Sequence, residues 1–280
     1  MGALDGRVVA VTGGARGIGL ATAALLRERG ARVHIGDLDG ELAAGEALAH
    51  DLRAGHELDV TDRTSFARFL AAVEAADGPL DALVNNAGVM PWSAFLEQAD
   101  ESIEQTLAVN LDGVLLGMRL TLPGMVERGH GHVLNVASGA GRTPIPGAAV
   151  YSATKAAVIA LTEAVRRELR GTGVALTSVL PTMVATELAS GAPEGRGISA
   201  IAPEDVAKTI ADALEGDGGT RFAGPFYADA ASRLQAILPQ RLSDAFRSLL
   251  ADDRILTGLD EDARAAYSER LAAARERRRP

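Results

Sequence analysis

The sequence of 280 residues contains no cysteine. This absence excludes disulfide bonds, thiol nucleophiles and cysteine-ligated zinc, and it fits a reducing compartment. Runs of about 18 apolar residues are also absent, and the N-terminus lacks the basic and apolar segments of a secretory signal. No membrane span is therefore predicted, and we expect a soluble, cytoplasmic protein.

Positive charge is in the minority, with 28 Lys and Arg against 37 Asp and Glu and a formal net charge of −9. A chain that binds nucleic acid along its length would carry the opposite sign, so no nucleic-acid partner is expected. Apolar residues make up 47% of the chain, which is enough for a sizeable core. At roughly 150 residues per domain the length suggests nearly two domains, although single α/β domains of about 200–250 residues are common.

Short apolar runs alternate with segments of helical period up to about residue 220. Strands are predicted at 7–12, 32–36, 56–60, 82–85, 132–137 and 174–180, and helices at 20–29, 41–52, 100–128, 151–170 and 203–214. This order is typical of βαβ units with right-handed crossovers. Strands that are apolar throughout suit a sheet covered on both faces. The prediction is an α/β fold, a doubly wound Rossmann-type parallel sheet with helices on both faces.

From about residue 225 onward the sequence pattern changes: no further strand is predicted, and the remaining residues have the pattern of two or three amphipathic helices. A helical stripe is indicated by the spacing of Leu234, Ile237, Leu238, Leu242, Phe246, Leu249 and Leu250. Pro239 divides it into two helices. We therefore predict a catalytic domain at 1–224 and a helical C-terminal extension at 225–280. The stripe would be buried over a cleft, in a subunit interface or, as a weaker alternative, at a membrane surface.

A glycine-rich turn at residues 12–19, TGGARGIG, lies between the first strand and the first helix. Glycines there allow a phosphate to approach the N–H groups of a helix N-terminus, although such a turn can also be purely structural. Asp37 ends the second strand, where a carboxylate accepts hydrogen bonds from ribose hydroxyls and repels a 2′-phosphate. This favours NAD over NADP. Arg16 weakly favours NADP, because its side chain is long enough to reach a 2′-phosphate. The alternative role of Asp37 is that of a turn residue that opens the next helix.

Together with two further motifs and four single positions, this turn resembles the short-chain dehydrogenase/reductase family over about residues 5–224. The turn fits the family pattern TGxxxGxG, residues 85–88 fit NNAG, and residues 59–60 fall where the family contacts adenine. The four catalytic positions fall on Asn110, Ser138, Tyr151 and Lys155. The cofactor-binding residues that the resemblance implies are Gly13, Arg16, Gly17, Ile18, Gly19, Asp37, Asp59, Val60, Asn86, Ala87, Gly88, Tyr151, Lys155, Pro181, Val184 and Thr186.

The loop after the sixth strand departs from the family pattern. The family has Pro-Gly there, whereas this chain has Pro181 followed by Thr182. A Cβ restricts the backbone, which puts the geometry of this loop in question. Thr186 keeps the position that contacts the nicotinamide carboxamide in the family.

Tyr151 and Lys155 are four residues apart at the start of a predicted helix and therefore lie on one face. Free tyrosine has a pKa near 10, and a cation about 4 Å away is worth roughly 4 kcal/mol at an effective dielectric near 20. We therefore expect Lys155, helped by oxidised nicotinamide, to lower the pKa of Tyr151. Ser138 would bond the substrate oxygen, and the resemblance implies that Asn110 holds a water connected to Lys155.

No metal is expected, because His130 and His132 are joined by no carboxylate cluster. Pocket walls are predicted at 90–92 and 139–147, with a mobile lid at 187–201. Met90, Trp92, Ile145 and Met183 favour an apolar secondary alcohol or ketone as the substrate. The alternatives are an NADPH-dependent ketone or 3-oxoacyl reductase and, in another class, a non-enzymatic nucleotide-sensing or scaffold protein. The resemblance also implies a homodimer or homotetramer packed through helices 100–128 and 151–170.

Overall fold

The computed structural model describes residues 2–192, 200–235, 238–239, 241–242 and 259–276. Within them the chain forms one seven-stranded parallel sheet in the order β3-β2-β1-β4-β5-β6-β7. The strands are β1 Val8–Thr12, β2 Arg32–Asp37, β3 Ala54–Glu57, β4 Ala82–Asn85, β5 Gly131–Val136, β6 Val174–Pro181 and β7 Gly219–Ala223. The predicted doubly wound Rossmann-type sheet is therefore confirmed.

Helices follow most of the strands and cover both faces of the sheet. They are α1 Gly17–Glu28, α2 Gly40–Ala49, α3 Arg63–Asp77, α4 Asp100–Leu107, α5 Gly113–Arg128, α6 Ala149–Glu168, α7 Pro203–Leu214, α8 Phe226–Gln235 and α9 Glu261–Glu276. A π-helical turn, Ala108–Asp112, joins α4 to α5. No helix in the described ranges is both long enough and apolar enough to cross a membrane.

The core has two layers because successive side chains of a strand point to opposite faces. Val9 and Val11 of β1 pack in one cluster with residues of α1 and α7. Val8 and Ala10 pack in the other cluster with residues of α3, α5 and α6. The order of the sheet reverses between β1 and β4, and a crevice opens at the carboxyl ends of strands at such a switch point.

The structure adds two elements to those predicted and corrects two others. Helix α3 and strand β7 were not predicted, and the single predicted helix 100–128 is divided by the π-helical turn. The strand predicted at 56–60 lies earlier, at β3, because only residues 54–57 pair with β2.

The C-terminal segment is helical where it is described, in α8 and α9. Of the predicted apolar stripe, Leu234 and Leu242 are exposed, and Leu238 is partly buried. Ile237, Phe246, Leu249 and Leu250 lie outside the described residues, as do positions 193–199 of the predicted lid.

Candidate active site

A cavity of about 730 Å³ lies at the carboxyl ends of the central strands. Its wall includes residues that lie just after four neighbouring strands, namely Gly13 after β1, Asn86 after β4, Ser138 two residues after β5, and Thr182 after β6. Parallel strands end at the same edge of the sheet, so motifs far apart in sequence meet here.

The glycine turn forms a close-packed floor on one side of the cavity. Gly13 has a φ of +61°, and a Cβ there would lie 2.8 Å from the Cα of Ala87. Gly19 packs equally closely, since its Cβ would lie 2.1 Å from the carbonyl oxygen of Gly13. The Nδ2 of Asn86 donates to the carbonyl oxygens of Thr12 and Gly13 at 3.0 and 2.9 Å. These contacts leave no room for side chains and hold the turn against the loop after β4.

The N-terminus of α1 opens beside this turn. Arg16 occupies the N-cap position and makes no side-chain capping bond, so the first N–H groups of the helix are left for another acceptor. A turn that excludes side chains and leaves these donors uncapped fits a dinucleotide pyrophosphate. Gly17 and Ile18, at the start of α1, line the same cavity.

The acidic residue at the end of β2 is held in the cavity wall by backbone N–H groups. Asp37 accepts from the N–H of Ala15 at 3.3 Å and from that of Asp39 at 3.2 Å. Arg16 forms an ion pair with Asp39 at 3.0 Å. The one arginine of the glycine turn is therefore already paired with a carboxylate.

Three of the predicted site residues do not line the cavity, namely Gly19, Asp59 and Asn110. The carboxylate of Asp59 accepts from the backbone N–H and the hydroxyl of Thr61 at 2.9 and 2.8 Å. Val60, its neighbour, does line the cavity, together with the other predicted cofactor residues.

Tyr151 and Lys155 lie on one face of α6, as their spacing predicts, and both are buried. The Nζ of Lys155 lies 5.7 Å from the centre of the Tyr151 ring and donates to the carbonyl oxygen of Val136 at 2.8 Å. The hydroxyl of Ser138 accepts from the N–H of Ala140 at 3.1 Å. Ser138, Tyr151 and Lys155, three of the four predicted catalytic residues, therefore lie together in the cavity wall.

Burial governs the ionisation of this cluster. It raises the pKa of Tyr151 to about 12, opposed by a hydrogen bond with Ser138 and reinforced by Tyr267. Burial also lowers the pKa of Lys155 to about 8. Among the described residues the loss of hydration dominates the pKa of Tyr151, and the lowering expected from Lys155 together with oxidised nicotinamide stays a prediction.

Asn110 lies in the π-helical turn, and its side chain binds the backbone of the loop after β4. Its Oδ1 accepts from the N–H of Val89 at 2.8 Å, and its Nδ2 donates to the carbonyl oxygen of Val89 at 2.9 Å. A Cβ at Gly88 would lie 3.4 Å from the Oδ1 of Asn110 and 3.5 Å from the Nζ of Lys155. Asn110 therefore holds the loop of residues 86–89 next to Lys155.

Thr182, which replaces the family glycine, fits without a left-handed backbone, since Asp51 is the one described non-glycine residue with positive φ. Its N–H donates to the carbonyl oxygen of Ala223 at 2.9 Å. The bulk of Thr182 faces Gly224, where a Cβ would lie 2.6 Å from the threonine hydroxyl. The loop after β6 thus accommodates Thr182 without a positive φ, and Thr186 lies in the cavity wall as predicted.

Apolar side chains form the far side of the cavity, here called the apolar pocket: Met90, Trp92, Ile145 and Met183. These wall residues were predicted, whereas Tyr227 and Ser232 of α8 and Tyr267 and Leu271 of α9 were not. The spacing of Arg264, Tyr267 and Leu271, three and then four residues, is a signal of one buried helix face that was available in the sequence. All three side chains are buried.

The fold and this site together are typical of a Rossmann-type oxidoreductase that binds a dinucleotide. The sequence model of the family described as short chain dehydrogenase matches residues 7–197, more than half of the chain. The chain therefore belongs to the short-chain dehydrogenase/reductase family and is an NAD(P)-dependent oxidoreductase.

Two relatives are similar over most of this chain. Glycine betaine reductase ATRR of Emericella nidulans is 39% identical over 230 residues, which are 76% of this chain and 18% of that protein. The dehydrogenase LinX of Sphingobium indicum, named for 2,5-dichloro-2,5-cyclohexadiene-1,4-diol, is 37% identical over 195 residues, 68% of this chain and 78% of that one. The chain thus spans less than a fifth of the first relative.

Solved structures with the same fold hold either cofactor. The 3-ketoacyl-(acyl-carrier-protein) reductase of Brucella melitensis, complexed with NADH, is 27% identical with a TM-score of 0.72, over 78% of this chain and 97% of that one. A short-chain dehydrogenase of Burkholderia cenocepacia in complex with NADP is 31% identical with a TM-score of 0.73, over 89% and 99%.

Proposed function

We propose that this chain transfers a hydride between a nicotinamide cofactor, with NAD favoured, and an apolar secondary alcohol or its ketone. One observation carries the proposal: the hydroxyl-bearing ring of Tyr151 is buried in a single cavity between the glycine turn and the apolar pocket. Names of similar proteins, a diol dehydrogenase and a ketoacyl reductase, also support reaction at an alcohol or ketone.

In this proposal Tyr151 exchanges the proton of the substrate hydroxyl. Ser138 donates a hydrogen bond to the substrate oxygen and stabilises the charge that develops on it. Lys155 supplies the nearby positive charge, and Asn110 positions the loop of residues 86–89 beside it. The nicotinamide, when bound, supplies or accepts the hydride. Exclusion of water by the apolar pocket strengthens each of these interactions.

The test of the proposal is a panel of apolar secondary alcohols and ketones with NAD and NADP. We expect Tyr151→Phe to reduce kcat by at least about a hundredfold, as loss of a general acid/base does. Binding of NAD and the melting temperature should be preserved, because the ring remains. A variant as active as the wild type would contradict the mechanism, and a wild-type chain that turns over no member of the panel would instead favour a non-enzymatic nucleotide sensor or scaffold.

The preference for NAD rests on the carboxylates beside the glycine turn. Asp37 presents a negative charge to the cavity, and Arg16 is paired with Asp39. A 2′-phosphate would be repelled by the carboxylate of Asp37, and it would have to compete with Asp39 for the guanidinium of Arg16. We expect Asp37→Ala to lower the ratio of kcat/KM for NAD to that for NADP about tenfold or more.

A matched control for this prediction is Asp62→Ala, which removes a carboxylate at the N-cap of α3, outside the cavity wall. It should leave the cofactor ratio unchanged. A wild-type protein that prefers NADP would overturn the proposal in favour of an NADPH-dependent ketone or 3-oxoacyl reductase.

We also propose that the protein assembles as a homodimer or homotetramer through the helices α4, α5 and α6. Leu107, Leu115 and Val126 on α4 and α5 are more than a third exposed, which is consistent with faces that pack against a second copy.

A further inference from the structure

The C-terminal helix α9 lies across the substrate side of the cavity and is fixed there by a buried cation. The guanidinium of Arg264 donates to the carbonyl oxygens of Met90, Leu188 and Ser190. The side chain is 4% exposed, and it contacts three carbonyls from two loops. Because these loops follow β4 and β6, Arg264 holds α9 on the two segments that frame the apolar pocket.

Further contacts along α9 fix its rotation. The Nε2 of Gln105 in α4 donates to the carbonyl oxygen of Leu271 at 3.3 Å, and Arg275 donates to the Oε1 of Gln105 at 3.0 Å. Arg270 forms an ion pair with Glu187. The face of α9 that carries Tyr267 and Leu271 is thereby turned into the cavity wall.

Tyr267 brings a second phenol hydroxyl into the cavity that contains Tyr151. Tyr267 is 3% exposed, and its hydroxyl accepts from the N–H of Met90 at 2.9 Å. The hydroxyl proton itself has no acceptor among the described residues. Because Tyr267 lines the cavity, this proton is available to an acceptor atom of a molecule bound there. The Tyr267 hydroxyl is also near enough to Tyr151 to raise the pKa of that group, after burial and against the Ser138 bond.

We propose that Tyr267 is a specificity-determining residue that donates a hydrogen bond to a second oxygen of the substrate. The substrate class is then a compact apolar ring or chain with two oxygen functions, a diol or a hydroxyketone. One oxygen reacts at Tyr151 and Ser138, and the other is bound at Tyr267. This inference rests on the proposed function for the position of the reacting oxygen.

The experiment compares cyclohexanol with its 1,2-, 1,3- and 1,4-diols, which share one carbon ring and differ by a single hydroxyl. Binding to the NAD-loaded protein is followed by the fluorescence of Trp92, the one tryptophan of the chain, which lines the cavity. Oxidation of each compound is measured separately as kcat/KM. For the wild type we expect at least one diol to bind about tenfold more tightly than cyclohexanol, as one satisfied buried hydrogen bond provides.

Tyr267→Phe keeps the ring and removes the hydroxyl. We expect it to abolish most of the preference for the diol, while affinity for cyclohexanol changes less than about threefold. Loss of the Met90 hydrogen bond affects both ligands alike and therefore cancels in the ratio. Ser268→Ala is the matched control, because it also removes one hydroxyl from α9, at an exposed position outside the cavity wall. It should leave the ratio unchanged.

Each outcome decides the inference. The inference would be overturned if the wild type preferred no diol, or if Tyr267→Phe left the ratio of diol to cyclohexanol affinity unchanged. An equal loss of affinity for both ligands would also overturn it, because Tyr267 would then serve only to dock α9. Diols that bind preferentially through Tyr267 but are never oxidised would leave the inference standing and contradict the proposed function.

Discussion

Lys155 carries its ammonium group into the interior with a single described hydrogen bond, to the carbonyl oxygen of Val136. Burial lowers its pKa from 10.5 to about 8. Below about pH 8 the folded and the unfolded chain both carry the charge, so the folded state bears the whole penalty of burying it, about 3 kcal/mol. Between about pH 8 and 10.5 the folded state has released the proton and the unfolded state still holds it, so the penalty declines.

Lys155→Met should therefore raise the melting temperature at pH 7 by more than it does at pH 9.5. The physical reason is that the variant removes a penalty that wild type itself loses as the pH rises. Thermal unfolding of both proteins across this range measures the difference. The matched control is Lys208→Met, at the other lysine of the chain, which is exposed on α7. A gain for Lys155→Met that is independent of pH would contradict the assigned pKa.

Sequence and structure agree best at single residues whose role depends on spacing. Tyr151 and Lys155 share a face because four residues make about one helical turn, and Gly13 is required because its neighbours leave no room for a Cβ. Tyr267 could not be assigned in this way. Its role depends on where α9 docks, and the backbone carbonyls that bind Arg264 have no signature in the sequence.

At the scale of elements, the missed strand and helix had different causes. Strand β7, GTRFA, has little apolar character, and it is a strand because it pairs with β6 from Thr177↔Gly219 onward. Such a long-range pairing cannot be read from local pattern. Helix α3 carried a local signal that was overlooked: Asp62 caps the N–H groups of Thr64 and Ser65 at 3.0 and 3.1 Å.

The position of the π-helical turn is explained by the tertiary contacts of Asn110, one of the predicted site residues. An extra residue in a helix turn is unfavourable unless other contacts compensate. Here Asn110, at the centre of the turn, makes two hydrogen bonds to Val89 and a third to Thr154 at 3.3 Å. The helical periodicity of 100–128 predicted a continuous helix because it contains no information on these tertiary contacts.

For the whole molecule, the length of 280 residues suggested nearly two domains, whereas the described residues form one sheet with a helical segment attached. Within the extension, α9 lies at the cleft, since Tyr267 and Leu271 line the cavity. The predicted apolar stripe is a different part of the extension: Leu234 and Leu242 are exposed, and its burial over a cleft, in an interface or at a membrane surface stays a prediction.

The contacts of Arg264 lead to a prediction about the stability of one part of the chain relative to the rest. Arg264→Met keeps the aliphatic stem of the side chain and removes the guanidinium, so three carbonyl oxygens lose their donor. Hydrogen bonds to a charged group contribute about 1.5–3 kcal/mol, and amide exchange in α9 should accelerate by about 10- to 100-fold. Exchange in β4 and β5 should be unchanged, because the sheet is buried without help from α9.

Hydrogen exchange followed by mass spectrometry on peptides that cover residues 261–276, 82–85 and 131–136 measures this difference. Arg275→Met is the control for exchange, since it removes one partly buried contact near the end of the same helix and should alter exchange only locally. Trp92 provides a second reading, because the Arg264 guanidinium lies 5.8 Å from its ring and its loss should change the indole fluorescence. Equal acceleration in α9 and the sheet would mean that Arg264 supports the whole fold, and no acceleration would mean that α9 is held by its apolar face alone.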